Sequence, residues 1–174
     1  QVVDALKSGK NVFVEKPLAL TLDELDIIDK AYHEANQTNT VRLMVGFNRR
    51  YAPHVVKMRE LLDSHRSPKS IIMTVNAGAI PGEHWVQNSL IGGGRIIGEG
   101  CHFIDLMRHL VGHKINGFTA TMIGNVPGVE VREDKASVTL SFEDGSFGTI
   151  HYLANGGSVF PKERVEVFCD DAVL

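Results

Sequence analysis

The sequence has little of several features that each mark a particular class of protein. It has two cysteines and one tryptophan in 174 residues, and aromatic residues make up 7%. Two cysteines are too few for a disulfide framework, so Cys101 and Cys169 are predicted to be free thiols in a reducing compartment. No apolar run is long enough to span a bilayer and no signal-peptide pattern opens the chain, which predicts a cytoplasmic protein without a membrane partner.

The charge balance shows no excess of basic residues. Eighteen Lys and Arg residues stand against 21 Asp and Glu residues, for a net charge of -3. A nucleic-acid-binding domain normally carries a basic surface, so nucleic acid is excluded as a partner. The 43% hydrophobic and 22% charged content describes a globular chain with a real core. The chain starts without Met inside a helical pattern, which suggests a fragment of a longer protein.

Residues 1–47 alternate between helical and strand patterns. A first helix is predicted to end at Gly9, and the apolar "NVFV" that follows is typical of a strand buried on both faces. Thr21 and Glu24 form a capping-box pattern that opens a helix through about Asn36. "RLMVGF" reads as the next strand. This order predicts a crossover connection and a parallel sheet.

Residues 48–174 follow a different plan. Pro53 is placed to begin a helix through about Leu62, and residues 99–111 form a second helix that Gly112 ends. "EDGS" at 143–146 predicts a tight hairpin turn. Strands are predicted in "KSIIMTVNAG" and near 115–124, 135–143, 146–154 and 163–169. The expected fold is an open, mostly antiparallel sheet with helices on one face. Phe147 is expected on the face that the helices cover, and Ala136 and Leu153 on the opposite face.

Charged residues stand where the first two strands end. "VFVEKP" places Glu15, Lys16 and Pro17 directly after a buried strand, at the sheet edge where open α/β folds bind ligands. "GFNRRYAP" places Arg49 and Arg50 after the next strand. The two guanidinium groups suit phosphate or carboxylate oxygens, although surface solubility explains them equally well.

The helix in "GEGCHFIDLMRHLVG" carries two histidines beside its apolar arc. His102, Asp105 and His109 fall together at the edge of that arc, so an imidazole and a carboxylate stand at i, i+3 spacing. A carboxylate can fix the tautomer of a histidine that acts as an acid or base. The alternative, somewhat favoured by spacing alone, is a polar margin where the helix meets water.

No metal site is predicted. His109 and His113 have ligand spacing, but Gly112 separates them, and the sequence contains no C-x-x-C pair. His102 lies two turns from His109, roughly 10 Å along the helix. The triple glycine at 92–94 follows no strand and does not form a phosphate-binding pattern. In the preceding loop, Trp85 either faces a ligand or anchors the loop.

Three segments together resemble the Gfo/Idh/MocA family of nicotinamide-dependent oxidoreductases. They are "VFVEKPLALT", "GFNRRYAP" and "GGGRIIGEGCHFIDLMRHLVG", and their order and spacing agree with the family over essentially the whole chain. The resemblance implies that residues 1–47 are the C-terminal remnant of a dinucleotide-binding Rossmann domain. It implies that residues 48–174 are a substrate-binding and oligomerisation α+β domain, truncated at its end.

The resemblance also implies roles for individual residues. Lys16 would stand beside the nicotinamide and the substrate hydroxyl, with Glu15 orienting it and Pro17 fixing the turn through a cis Lys16–Pro17 bond. His102 would be an acid/base or substrate ligand supported by Asp105. Cofactor contacts are expected from Glu15, Lys16, Pro17, Asn48 and Arg49, and substrate contacts from Arg50, Trp85 and His102.

One position departs from the family pattern. Many members have Asp four residues before the histidine, where this chain has Gly98 followed by Glu99. Either Glu99 substitutes for that Asp or the proton relay runs differently.

The function implied is hydride transfer between NAD or NADP and a hydroxyl-bearing carbon of a sugar, polyol or related cyclic alcohol. The alternative is a non-catalytic binding or regulatory member of the same fold. In either case a homodimer or homotetramer through the open sheet face is expected. The fragment alone is expected to be inactive, because its sequence lacks the glycine-rich turn that binds pyrophosphate.

Overall fold

The computed structural model describes residues 1–174, which form two units, Gln1–Phe47 and Asn48–Leu174. None of its helices combines the length and apolar character that crossing a membrane requires.

The first unit alternates helices and strands. It contains α1 (Val2–Lys7), β1 (Val12–Val14), α2 (Leu22–Thr38) and β2 (Leu43–Val45). The two strands pair in parallel, so the crossover that the sequence predicts is confirmed. The unit's core is formed by residues from both helices and from the segment before β2: Leu6, Ile28, Ala31, Ala35 and Val41.

The start of α2 has the predicted capping box. The Thr21 hydroxyl accepts a hydrogen bond from the Glu24 backbone N–H at 3.2 Å, and the Glu24 carboxylate accepts one from the Thr21 N–H at 3.2 Å. Both contacts satisfy N–H groups that the first helical turn leaves without intrahelical partners. The helix runs to Thr38, two residues beyond the predicted end.

The second unit contains a six-stranded sheet and two α-helices. The elements are α3 (Pro53–Leu62), β3 (Ser70–Asn76), α4 (Cys101–Val111), β4 (Ile115–Met122), β5 (Lys135–Phe142), β6 (Phe147–Leu153), β7 (Glu163–Cys169) and β8 (Ala172–Val173). The strand order is β4-β5-β6-β3-β7-β8, and every neighbouring pair is antiparallel except β3 and β6. The two-residue β8 is too short for periodicity to reveal, and the sequence did not predict it.

The helices cover one face of this sheet. The covered face contributes alternate residues to the core that α3 and α4 complete, among them Ile71, Met73, Val75, Leu140, Ile150 and Val167. We call the other side the open face, defined by its exposed apolar residues Ile72, Phe147, Leu153 and Phe168.

Two residues lie on the opposite face from the one expected. Phe147 is 52% exposed on the open face, whereas Ala136 is buried on the covered face, paired with Tyr152. Side chains alternate along a strand, so Phe147 cannot share a face with Ile150, three residues away. Leu153 lies on the open face as predicted.

Glycine allows close packing between α4 and the sheet. A Cβ atom on Gly148 of β6 would lie 2.6 Å from the Met107 sulfur and 2.9 Å from Cβ of Ile71. Only a residue without a side chain fits between these two neighbours. The helix then ends at Gly112, which takes a left-handed conformation with φ of 85° as the sequence predicts.

Candidate functional site

In the first unit, the predicted site residues lie at the carboxyl edge of the parallel strand pair. Glu15 follows β1 and Gly46 follows β2. A Cβ atom on Gly46 would lie 3.1 Å from Oε2 of Glu15, so the Glu15 side chain rests over a glycine. Glu15 itself is exposed to solvent. This edge is where open α/β sheets bind ligands.

Lys16 and Pro17 continue from this edge. Both residues are half-buried, and the Lys16–Pro17 peptide bond is cis, as the resemblance implies. The placement gives Lys16 an ordered backbone immediately beyond a strand end.

In the second unit, a π-helical turn leads directly into α4. The turn spans Ile96–Gly100 and carries Glu99, and His102 follows in the first turn of α4. Such π-turns inside helices frequently occur at functional sites. His102 is 5% exposed and Phe103 is 1% exposed. On the helical wheel His102 lies at the edge of the apolar arc, but packing around the start of α4 buries its imidazole.

Three donors converge on the Glu99 carboxylate. Oε2 accepts hydrogen bonds from the Tyr152 hydroxyl at 2.5 Å and from Nη2 of Arg95 at 3.0 Å, and Oε1 lies 3.2 Å from Nζ of Lys162. Arg95 also donates to the backbone oxygens of Ala77 and Gly78. We call Arg95, Glu99, Tyr152 and Lys162 the Glu99 cluster.

The cluster fixes the protonation of its two acids. Burial alone would raise the pKa of Glu99, but the hydrogen bonds from Tyr152 and Arg95 and the charge of Lys162 lower it to about 2. Burial, followed by the hydrogen bond to Glu99 and the charge of Glu99, raises the pKa of Tyr152. Near neutral pH, Glu99 is therefore an anion and Tyr152 a neutral donor. The role of Glu99 in supporting catalysis remains a prediction.

Arg49 is bound within the second unit. Its Nε and Nη2 atoms donate to the Glu163 carboxylate at 3.2 and 2.6 Å, and its guanidinium carbon lies 4.5 Å from the centre of the Phe103 ring. The Arg49 guanidinium thus contacts both the Glu163 carboxylate and the ring of Phe103, the residue that follows His102 in the chain. Asn48 lies beside Arg49 and is exposed. Cofactor contacts by Asn48 and Arg49 remain predictions.

Asp105 and Arg50 form a bidentate ion pair. Nε of Arg50 donates to Oδ2 of Asp105 at 2.7 Å, and Nη2 of Arg50 donates to Oδ1. Both carboxylate oxygens are therefore engaged by Arg50, and the role of Asp105 in supporting His102 remains a prediction. The same pairing neutralises Arg50, which was expected to bind substrate. Burial, then the charges of Arg50 and Arg59, lowers the pKa of the neighbouring His109.

Trp85 lies in a short 3-10 turn and is 60% exposed. Its ring centre is 5.9 Å from that of His84. A Cβ atom on Gly92 would lie 2.5 Å from Cα of Val86, so the loop packs closely against itself here. The structure gives Trp85 an exposed ring on a self-packed loop, and its role as a substrate contact remains a prediction.

A separate cavity of about 310 Å³ lies between the 79–82 and 128–135 segments. Its lining includes Asp134, which is 2% exposed and has Oδ1 2.7 Å from Nζ of Lys135 and Oδ2 3.2 Å from Nε2 of Gln87. The buried charge of Asp134 is thus compensated by Lys135 and by a hydrogen bond from Gln87. None of the sequence-predicted site residues lines this cavity.

Sequence reasoning missed four residues around α4: Arg95, Tyr152, Lys162 and Glu163. Tyr152 reads as an ordinary core residue of an alternating strand, and nothing in its pattern announces a carboxylate partner 53 positions away. Arg95 had a local signal, since it is a lone charge between glycines and isoleucines. The last two, Lys162 just before β7 and Glu163 at its first position, are exposed and look like surface residues.

Comparison with known proteins assigns both parts of the chain. Residues 1–47 match the family model described as "Oxidoreductase family, NAD-binding Rossmann fold", and residues 55–174 match the GFO/IDH/MocA C-terminal domain. The NAD(+)-dependent scyllo-inositol 2-dehydrogenase of Bacillus subtilis is 32% identical over 155 residues, which cover 86% of this chain and 43% of that protein. The myo-inositol 2-dehydrogenase of Thermotoga maritima is 26% identical, over 96% of this chain and 49% of that protein.

Solved structures agree with these matches. A Thermotoga maritima protein described as a "probable dehydrogenase" superimposes with a TM-score of 0.80 at 27% identity, covering 99% of this chain and 51% of the other. GenD2 from gentamicin A biosynthesis, solved in complex with NAD, superimposes with a TM-score of 0.71 at 26% identity, covering 99% and 49%. The chain spans about half the length of the relatives it matches. The two matched segments, the second of which spans more than half of the chain, show that the chain belongs to the Gfo/Idh/MocA family of oxidoreductases.

Proposed function

We propose that this chain is part of an NAD(P)-dependent oxidoreductase that moves a hydride between the cofactor and a hydroxyl-bearing carbon of a polyol or sugar. The observation that carries the proposal is the joint presence of Lys16 at the carboxyl edge of the parallel strands and buried His102 at the start of α4. Inositol 2-dehydrogenases among the relatives support a cyclic polyol as the substrate class.

The cofactor would lie at the edge formed by Glu15 and Gly46. Gly46 lets the Glu15 side chain lie close over the strand ends, and parallel strands present their ligand sites at this edge. When bound, the nicotinamide supplies or accepts the hydride. Glu15, Lys16, Pro17, Asn48 and Arg49 are the proposed contacts.

Lys16 and His102 would manage the proton of the reacting hydroxyl. The Lys16 ammonium stabilises the negative charge that develops on the substrate oxygen, a charge that exists mainly in the transition state. His102 accepts the hydroxyl proton in oxidation and returns it in reduction. Arg49, by stacking on Phe103 and pairing with Glu163, keeps the residue next to His102 in place.

Glu99 is proposed to support the site as a fixed anion. The family position at Gly98 lacks its usual carboxylate, and the adjacent Glu99 carboxylate is bound by Tyr152, Arg95 and Lys162 instead of being left open to a substrate. Its charge instead holds Arg95 and Tyr152 against the π-turn that precedes His102. The proton then passes through His102 without a carboxylate relay at this position.

The test replaces Lys16 in a full-length protein, in which this chain follows a glycine-rich dinucleotide-binding segment. Turnover of inositols and other polyols with NAD⁺ or NADP⁺ is followed by absorbance of the reduced cofactor. Lys16→Met keeps the aliphatic stem and removes the charge, so kcat should fall about 10²–10³-fold, with little change in cofactor affinity. Lys57→Met is the control, because Lys57 forms only an exposed pair with Glu60.

A near-normal kcat for Lys16→Met on a verified substrate would contradict the mechanism. His102→Asn should lower kcat and remove one limb of the pH–rate profile. A second candidate, a non-catalytic binding member, is favoured by the missing carboxylate at Gly98. It predicts cofactor or sugar binding in the full-length protein without turnover of any polyol.

The 174-residue chain by itself is proposed to be inactive. The sequence contains no glycine-rich pyrophosphate turn, whose backbone N–H groups provide much of the binding energy for a dinucleotide. Calorimetry should therefore show no micromolar NAD binding to this chain. Micromolar binding would mean that the cofactor site has been misplaced.

We further propose that two copies associate through the open face. Its four exposed apolar residues belong to strands in the middle and on the β7 side of the sheet. Ser and Thr residues of β3, β5 and β6 lie between them, and the charged residues Lys135, Arg164 and Glu166 lie toward the ends of β5 and along β7. A flat surface of this composition is suited to pairing with a copy of itself.

A further inference from the structure

A cluster of three different metal-ligating side chains lies outside the candidate functional site. The residues are His65, Cys169 and Asp170. Each offers one ligand atom, and these atoms all lie within 4.8 Å of one another. His65 comes from the segment between α3 and β3, whereas Cys169 and Asp170 come from the end of β7 and the turn that follows it.

The turn between β7 and β8 places the aspartate. Cys169 pairs with Ala172, so Asp170 and Asp171 form a two-residue hairpin turn with φ of 48° and 60°. This conformation turns the Asp170 carboxylate back beside the Cys169 thiol. Nδ1 of His65 lies 3.2 Å from Oδ2 of Asp170, and Sγ of Cys169 lies 3.7 Å from the same oxygen.

Two of the three separations between these ligand atoms are those of ligands on one tetrahedral metal ion. Zinc–ligand bonds of about 2.0 Å to N or O and 2.3 Å to S place a tetrahedral N and O about 3.3 Å apart, and a tetrahedral S and O about 3.5 Å apart. The observed values of 3.2 and 3.7 Å differ by about 0.2 Å or less from both. The third separation, between the ligand atoms of His65 and Cys169, is at most 4.8 Å, so these two side chains must approach by about 1.3 Å or less to enclose an ion.

The donor set selects the kind of metal. A thiolate, an imidazole and a carboxylate suit zinc and similar borderline ions, whereas magnesium and calcium take oxygen ligands. Cys169 is buried, and His65 and Asp170 are partly exposed, so an ion could enter from solvent and keep one water as a fourth ligand.

A thiol–imidazole nucleophile is the competing interpretation, and the surroundings disfavour it. Sγ of Cys169 contacts the backbone oxygen of Ser67 at 3.5 Å and Oδ2 of Asp170 at 3.7 Å, so the thiol and the imidazole meet at the aspartate rather than pairing with each other. His65 makes its contact to the carboxylate through Nδ1, the atom it would present to a metal.

We propose that His65, Cys169 and Asp170 form a structural zinc site that ties the β7–β8 hairpin to the segment before β3. The site is remote from the Glu99 cluster. Glu163 begins β7 and Cys169 ends it, so roughly 20 Å of strand separates the two ends. The ion would therefore stabilise the sheet margin rather than take part in hydride transfer. The sequence alone gave no indication of it, because His65 is 104 residues from Cys169.

The test uses cobalt as a spectroscopic probe in the 174-residue chain, freed of metal with a chelator. Co²⁺ bound to a thiolate gives a near-ultraviolet charge-transfer band that Zn²⁺ abolishes by displacement. The band should saturate at one equivalent, persist in Cys101→Ser, and disappear in Cys169→Ser. His65→Gln should weaken Co²⁺ binding at least tenfold, whereas His54→Gln, an exposed histidine of α3, should not change it.

A second measurement covers the case in which Cys169→Ser fails to fold. In the Cys101→Ser variant, Cys169 is the remaining thiol, and Zn²⁺ should slow its reaction with a thiol reagent at least tenfold. Adding His65→Gln should abolish this protection. The absence of a charge-transfer band, an unchanged band in Cys169→Ser, or protection that is independent of His65 would each overturn the proposal. Any of these results would leave the proposed oxidoreductase function untouched.

Discussion

Glu99→Gln tests whether the Glu99 cluster holds a permanent charge. The substitution keeps the size and shape of the side chain but removes its negative charge. Arg95, whose side chain is 8% exposed, then keeps its backbone acceptors but loses its counter-ion. The amide also brings an N–H group toward Lys162 or toward one of the other two donors. A buried cation without its partner is costly, because little water is available to replace the carboxylate.

The pKa of Glu99 sets the size of the effect. A carboxyl group whose pKa falls from 4.5 to about 2 on folding contributes at most about 3.5 kcal/mol, at about 1.4 kcal/mol per pKa unit. Lys162 is 60% exposed, so solvent screens its share of this energy. We expect Glu99→Gln to lower the free energy of unfolding by about 2 kcal/mol near pH 7.

The effect should depend on pH in one direction. Because the folded pKa lies below the unfolded one, the stabilisation is complete above about pH 5 and is lost as the pH falls through 4.5 toward 2. The difference between wild type and Glu99→Gln should therefore shrink by more than half between pH 6 and pH 3. Urea unfolding followed by circular dichroism measures it, and 2 kcal/mol corresponds to a midpoint shift of about 1 M.

Glu60→Gln is the matched control for this experiment. It makes the same substitution in a carboxylate that forms an exposed pair with Lys57, and it should change the free energy of unfolding by less than about 0.5 kcal/mol. The reasoning would be refuted if Glu99→Gln cost no more than Glu60→Gln, or if its cost were the same at pH 3 and pH 6.

The remaining predictions concern packing, association and capping. Gly148→Ala should lower the free energy of unfolding by about 2 kcal/mol because its Cβ would overlap Met107, whereas Gly157→Ala, with no atom within 4 Å, should cost far less; thermal unfolding compares them. Ile72→Lys on the open face should convert an oligomer to monomers in analytical ultracentrifugation, and an unchanged oligomer would place the interface elsewhere. Thr21→Ala should cost about 1 kcal/mol by removing the α2 cap, and a neutral result in urea unfolding would contradict that.

The sequence by itself determined the elements and much of the local chemistry. The capping pair Thr21 and Glu24, the first-turn proline Pro53 and the terminal glycine Gly112 each act within a few residues, so their effects can be read without knowing the fold. Alternating apolar residues likewise located the long strands to within one or two residues. These signals are local because helix ends, turns and strand faces are set by neighbouring residues.

Only the tertiary structure decided which charges meet. Asp105 and Arg50 are 55 residues apart, and Glu99 and Tyr152 are 53 apart, so no periodicity could pair them. The spacing of His102 and Asp105 suggested a partnership on one helix, yet the carboxylate is held by Arg50 from a different element. Ion pairs of this kind depend on how helices dock on a sheet. That docking is fixed by long-range packing, here by the contact of Met107 with Gly148, which no short stretch of sequence encodes.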